Sequence, residues 1–272
     1  MSTSTAAGGH DSETAFRTFG TAASAGIVAM VLADMVHEGL GHGTACLLTG
    51  NRIVSLSTVA IQTAAASRFV SAAGTTANLI AGALSLLLFG RLKRLMPSFW
   101  FLWLFGMFNL LNVGYLAVSA VTNSGDWANV IAGSHPLWLW RCLMGLTGAA
   151  LYMLSVQWGA WLTIRRVENG EAGRKDLPRA TAAAYLAAGA VMTLASVFNP
   201  VSPRLIVLSG IGASFGLNAG LLFIPGIVNG RARTHLSAAK PLRLSLIWIP
   251  LALLFGGVFV AVLGPGIHFH HS

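Results

Sequence analysis

The sequence predicts an all-α fold, a polytopic bundle of about seven transmembrane helices. Composition is the first observation behind this prediction: 55% of the 272 residues are hydrophobic and only 9% are charged, with a mean hydropathy of +0.70. A soluble domain carries about 25% charged residues. The second observation is a series of apolar runs, each about as long as the roughly 20 residues that a membrane-crossing helix needs.

Seven apolar runs, separated by charged or Pro- and Gly-rich breaks, are the predicted helices. They cover residues 20–48, 69–90, 98–121, 137–164, 180–198, 204–228 and 243–264. Residues 19–264 are therefore expected to form one transmembrane domain, preceded by a disordered polar tail at 1–18 and followed by a short tail at 265–272. The histidines of the second tail, His268, His270 and His271, are interpreted as solvated.

One stretch between the first two runs is predicted to be β structure. Residues 51–64, NRIVSLSTVAIQTA, are rich in β-branched side chains, partly alternate in polarity and are too short and polar to cross a bilayer. They predict a short hairpin at the membrane edge, within residues 49–66, whose backbone must be covered by protein.

The basic residues predict the orientation in the membrane. Seventeen Lys and Arg against eight Asp and Glu give a net charge of +9, and most lie in three loops, 91–94, 165–179 and 231–243. This distribution lacks the basic face of a nucleic-acid binder and is typical of loops that face anionic lipid. We expect a multi-pass protein of the cell (inner) membrane with a cytoplasmic N-terminus. The loops at 49–68 and 122–136 then share the outer side.

The first run carries the polar residues that point to chemistry. The segment DMVHEGLGHGTACLLTG contains His37, Glu38 and His42, and such residues inside a membrane helix are functional candidates by default. Neutral imidazoles are good zinc ligands, and an adjacent Glu can act as general base on a zinc-bound water, as in HExxH metalloproteases. The pattern predicts a Zn²⁺ site with Glu38 as the catalytic base.

The spacing of the histidines requires a distorted helix. Two residues four apart lie about 40° apart around an α-helix, whereas His37 and His42, five apart, would diverge by about 140°. Gly39 and Gly41 lie between them, where the backbone can take up an extra residue as a π-bulge. We therefore expect the helix to leave α-geometry between the two histidines.

Three segments in order resemble the site-2 protease family of intramembrane zinc metalloproteases. They are HEGLGHGTACLLTGNRIVSLS, then AAGTTANLIAGALSLLL at 72–88, and FNLLNVGYLAVSAVTNSGDW at 108–127. The resemblance covers about the first 130 residues and is that of a divergent member, with HExxxH in place of HExxH. It implies a metalloprotease-like core at 20–130 that hydrolyses peptide bonds of transmembrane proteins or peptides.

The resemblance also implies roles for residues outside the first helix. Asp126 would be the third zinc ligand beside His37 and His42, and it is the only acidic residue between Glu38 and Glu168. An ordinary turn role in TNSGDW stays open for it. Polar side chains in the second and third runs would bind substrate or the oxyanion, namely Asn78, Asn109 and Asn112. Hydrogen bonding between helices is their alternative role.

Other functions remain open at this point. The polar cluster of the first helix could be a hydrogen-bonded core or an ion path of a transporter, or the chain could be a non-proteolytic, protease-like binding protein. A seven-helix zinc amidase of the ceramidase type is a third alternative. That group spreads its ligands over several helices, whereas the later runs here are nearly free of His, Asp and Glu.

Overall fold

The structure is a computed structural model that describes residues 5–94, 98, 100–199, 203, 206–232 and 245–269. The predicted all-α fold is confirmed. Six helices in the described part are long and apolar enough to cross a membrane, as in a multi-pass membrane protein. These six spans are Arg17–Leu48, Arg68–Arg91, Trp100–Thr122, Leu137–Glu168, Leu177–Val197 and Ile206–Arg231.

The seventh predicted run forms a shorter helix, Trp248–Leu263. At its start, the ring of Trp248 stacks on Phe101 of the third span with 4.3 Å between centroids. At its end, the carbonyl of Leu263 accepts a hydrogen bond from the backbone N–H of Thr58 at 3.2 Å. Among the described residues, this last helix therefore reaches from the start of the third span to the hairpin.

The first span changes its helix type along its length. It is α-helical over Thr5–Met35, π-helical over Val36–Gly43 and α-helical again over Thr44–Leu48. The helix begins at Thr5, inside the segment 1–18 that was expected to be a disordered polar tail. No proline interrupts that segment, so a helix can continue through it.

The predicted hairpin is confirmed and has a third strand. Strands β1, Ile53–Leu56, and β2, Ile61–Thr63, pair antiparallel, and β1 also pairs with β3, Ile267–His268. The tail predicted at 265–272 therefore belongs to the sheet at 267–268; His270 and His271 lie outside the described residues. The strand order is β2-β1-β3. We call this end of the bundle the sheet end.

The three predicted basic loops meet at the opposite end. Arg166, at the end of the fourth span, is buried and donates hydrogen bonds to the carbonyls of Phe89 and Leu92, and it pairs with Glu171 at 2.7 Å. Arg174 donates to the carbonyl of Ala232. These contacts join all three loops. Because successive helices alternate in direction, the loops after the second, fourth and sixth helices are expected at the same end.

The third and sixth spans are each interrupted by a short 3₁₀ turn. The third span is α-helical over Trp100–Leu111 and Tyr115–Thr122, with a 3₁₀ turn at Asn112–Gly114. The sixth is π-helical over Ile206–Gly216, 3₁₀ over Leu217–Ala219 and α-helical over Gly220–Arg231. The hydroxyl of Tyr152 donates to the Leu217 carbonyl and accepts from the Gly220 N–H, which stabilises the second interruption.

The remaining helices complete the frame of the site. A short helix, Asp126–Ile131, follows the third span, and the fourth and fifth spans are continuous α-helices, as is the second. The last helix is α-helical over Trp248–Val258 and π-helical over Phe259–Leu263. Large apolar side chains on the fourth span are exposed, among them Leu146, Leu154 and Trp161, as expected of a surface that faces lipid.

Candidate metal centre

The π-helical segment brings the two histidines to one face. In a π-helix the backbone hydrogen bonds join residues five apart, so such residues stack as those four apart do in an α-helix. His37 and His42 are both buried, and their ring centroids lie 4.8 Å apart. The predicted departure from α-geometry is confirmed over Val36–Gly43.

Each imidazole is held by a hydrogen bond from its Nδ1. His37 Nδ1 lies 2.7 Å from Asn78 Oδ1, and His42 Nδ1 lies 2.6 Å from the carbonyl oxygen of Val70. Both partners are acceptors, so both Nδ1 atoms carry a proton; each Nε2 can then offer its lone pair to a metal or, when protonated, donate to a carboxylate. An orienting partner of this kind is the usual companion of a metal-binding histidine.

Asp126 completes the cluster. It begins the short helix Asp126–Ile131 directly after Gly125, whose φ of +79° suits glycine. Its Oδ2 lies 3.4 Å from His37 Nε2 and 3.3 Å from His42 Nε2. Burial would raise the pKa of this carboxyl, but hydrogen bonds with the two histidines outweigh it and hold the pKa below its usual value.

The distances from Asp126 Oδ2 to the two imidazole nitrogens fit a tetrahedral zinc ion. Zinc binds nitrogen and oxygen at about 2.0–2.1 Å, so two tetrahedral ligands lie about 3.3–3.4 Å apart. The two measured separations have these values. Two imidazole lone pairs and a carboxylate oxygen facing one point also need a cation or protons between them. The residues therefore fit a site with three protein ligands and one open position.

A glycine of the second span makes room for the histidines. A Cβ placed on Gly74 would lie 2.5 Å from His42 Nε2 and 2.6 Å from His37 Nε2. Gly41 of the π-helical segment faces the same glycine, since its own Cβ would lie 2.6 Å from the Gly74 Cα. The close approach of the first two spans thus depends on both glycines.

Glu38 lies beside the three candidate ligands. Glu38 is 7% exposed. One of its carboxylate oxygens and a ring nitrogen of each histidine all lie within 4.8 Å of one another. The carboxylate accepts a hydrogen bond from the backbone of Ile61 in β2. Its Oε2 has no hydrogen-bond partner among the described residues. One carboxylate oxygen is therefore free to take a proton.

All four residues line one cavity of about 430 Å³. Its walls come from the first three spans, the hairpin, the Asp126 loop, Met192 of the fifth span and the sixth span. Ala60, Ile61 and Thr63 of the hairpin border it at the sheet end. A space of this size accepts a peptide segment as well as water.

Two of the three asparagines make the hydrogen bonds between helices that the sequence left open as their alternative role. Asn78 uses its amide group on the Ala33 carbonyl at 3.0 Å and on Asn109 Oδ1 at 2.8 Å, while its oxygen orients His37. Asn109 donates to the Phe105 carbonyl. Asn78 thus uses both amide hydrogens in positioning, and Asn109 is fully buried and is not among the described residues that line the cavity. Asn112 does line the cavity, with a buried Oδ1.

Sequence reasoning missed Tyr115. Its ring meets His37 edge-on, with 6.5 Å between centroids, and it lines the cavity. Its hydroxyl lies against Gly125, directly before Asp126. The signal in the sequence was a polar aromatic residue close to Asn109 and Asn112, the asparagines already considered for the site.

Comparisons with protein-family models, curated proteins and solved structures find no match for this chain.

Proposed function

We propose that the protein is an intramembrane zinc metalloprotease that hydrolyses peptide bonds of transmembrane proteins or peptides. The observation that carries this proposal is the convergence of His37 Nε2, His42 Nε2 and Asp126 Oδ2 at tetrahedral spacing. Glu38 stands beside them with a free carboxylate oxygen. This is the ligand number and the base that a hydrolytic zinc site requires.

The chain's own groups account for the steps of hydrolysis. His37, His42 and Asp126 would hold the zinc, which when bound polarises a carbonyl and lowers the pKa of a water. Glu38 takes a proton from the attacking water and delivers it to the leaving amine. Tyr115 donates a hydrogen bond from its hydroxyl to the carbonyl oxygen as negative charge develops there.

The hairpin supplies a way to hold the substrate. The peptide bonds of a helical substrate are enclosed in its own hydrogen bonds, so cleavage requires a locally extended segment. Strand β2 pairs with β1 on one side only and borders the cavity. Its second edge can pair with an extended peptide and place it beside Glu38.

The alternative functions are less favoured by the distribution of ligands. Within the described part of the chain, the acidic and histidine residues that line the cavity come from the first span and the Asp126 loop alone. A ceramidase-type site would draw ligands from later helices.

For the orientation in the membrane, we propose that the end of the bundle with the three basic loops faces the cytoplasm. The sheet end then faces the outer side of the cell (inner) membrane.

Zinc content and cleavage, measured together, test the proposal. We expect one zinc per chain in the purified protein, and loss of most zinc and of cleavage of a transmembrane peptide in His37→Ala and Asp126→Asn. The exposed His135, at the same end of the bundle, gives the matched control His135→Ala, which should retain both. Cleavage that persists at full rate without metal contradicts the proposal.

Asn78 provides a test of the hydrogen bond that orients His37. Replacement by Ala removes this bond and the links to the Ala33 carbonyl and Asn109. Loss of such a partner lowers metal affinity about 10- to 100-fold. Competition with a zinc chelator measures the change, and Asn129→Ala, at the rim of the same cavity, is the control. Equal affinities of Asn78→Ala and the wild type would show that the bond has no orienting role.

A further inference from the structure

The inner end of the cavity lies one helical turn from His37 and Glu38 along the first span, where three segments line it. They are the turn of the first span around Asp34 and the two 3₁₀ turns, Asn112–Gly114 and Leu217–Ala219. The amide of Asn218 lies 3.6 Å from the sulfur of Met30, one helical turn before Asp34. A Cβ on Gly114 would lie 3.2 Å from a methyl carbon of Leu217, so the two turns touch.

Two oxygens at this end lack a donor. Asp34 Oδ2 and Asn112 Oδ1 are buried and have no hydrogen-bond partner among the described residues, and both residues line the cavity. The amide of the buried Asn218 donates to the Ser214 carbonyl at 2.8 Å. Buried acceptors without donors are uncommon in proteins and indicate a missing partner.

The charges around the cavity indicate that this partner is a cation. The described residues of its wall include three carboxylates, Asp34, Glu38 and Asp126, and no Lys or Arg. Asp126 faces both imidazoles and Glu38 lies beside them, whereas Asp34 lies one turn deeper in the first span. An unpaired carboxylate inside a membrane is costly, and the described residues of the cavity wall offer Asp34 no Lys or Arg as a partner.

We propose that the inner end of the cavity binds a sodium ion, with Asp34 Oδ2 and Asn112 Oδ1 as ligands. One carboxylate balances one positive charge, and oxygen ligands suit a hard ion, while the histidine site suits zinc. Interrupted helices at the middle of a membrane protein are where unwound backbone and polar side chains hold sodium in transporters. The ion would link the first span to the interrupted third span. This site does not depend on the proposed protease function.

Thermal unfolding of the full-length protein in nanodiscs tests the sodium site. The protein is stripped of zinc with a chelator, and sodium chloride replaces choline chloride at constant ionic strength. A ligand that binds only the folded protein multiplies the folded-to-unfolded ratio by 1 + [L]/Kd, or about elevenfold at ten times the Kd. We expect the wild-type Tm to rise with sodium concentration.

Variants assign the effect to the inner end. Asp34→Asn keeps the shape of the side chain and should abolish the sodium response, while Asn129→Ala, at the rim, should retain it. If Asp34→Asn does not fold, Asn112→Ala must weaken the response at least tenfold in sodium concentration. Indistinguishable Tm values in sodium and choline for the wild type, or an unchanged response in the variant that folds, would overturn the proposal.

Discussion

Glu38→Gln is expected to abolish cleavage while the purified protein retains its zinc. The amide has nearly the shape of the carboxylate but cannot accept the proton of the attacking water. General base catalysis contributes about 10²- to 10⁴-fold to a rate. The three candidate ligands, His37, His42 and Asp126, are unchanged, so metal content should match the wild type. Single-turnover cleavage of a transmembrane peptide and elemental analysis of the same sample measure both quantities.

Tyr115→Phe is the companion variant for this experiment. It removes only a hydroxyl that lines the cavity, so zinc should stay bound and kcat should fall by less than in Glu38→Gln, with little change in KM. Full cleavage by Glu38→Gln would exclude the proposed mechanism. Loss of zinc from Glu38→Gln would instead make Glu38 a ligand.

Gly74→Ala is expected to remove both zinc and activity, although Gly74 carries no chemical group. The added Cβ would lie 2.5 and 2.6 Å from the two Nε2 atoms, closer than carbon and nitrogen can pack, so both imidazoles must move. A shift of this size destroys the separations of 3.3 and 3.4 Å that fit zinc. Zinc content and cleavage of the purified variant are the measurements.

Gly39→Ala is the matched control, because Gly39 lies between the two histidines and a Cβ there would meet no atom within 4 Å. We expect this variant to bind zinc and to cleave at near the wild-type rate. If Gly74→Ala also retained zinc, the close approach of the second span to the imidazoles would be refuted. If Gly39→Ala lost zinc, the π-helical segment itself would be sensitive to any added side chain.

Much of the fold could be predicted because the hydropathy of a long run of residues indicates directly whether a helix lies in lipid or in water. The apolar runs marked six spans and the shorter seventh helix, although the first helix starts earlier than expected and the last residues join the sheet. The spacing of His37 and His42 predicted a distorted helix, since five residues exceed one α-helical turn. Asp126 was found through a resemblance, not through spacing.

The partners of the site residues could not be predicted. Asn78 was expected to face the substrate, yet it binds His37, Ala33 and Asn109, because three helices meet at its position. An asparagine in a membrane helix must find hydrogen-bond partners, but the protein sequence does not say which residues they are. Tyr115 and Gly74 were missed for the same reason, since their importance lies in distances to residues far along the chain.

The sequence by itself determined that the chain is a helical membrane protein and that a polar cluster interrupts its first helix. Both follow from local properties, namely residue hydropathy and the spacing of side chains along one helix. Only the tertiary structure decided that Asp126 meets the two histidines and that Gly74 leaves room for them. It also placed Asp34 and Asn112, which are far apart in the sequence, on the wall of one cavity. These relations depend on how separate helices approach one another, and that approach is set by packing and hydrogen bonds between segments far apart in the chain.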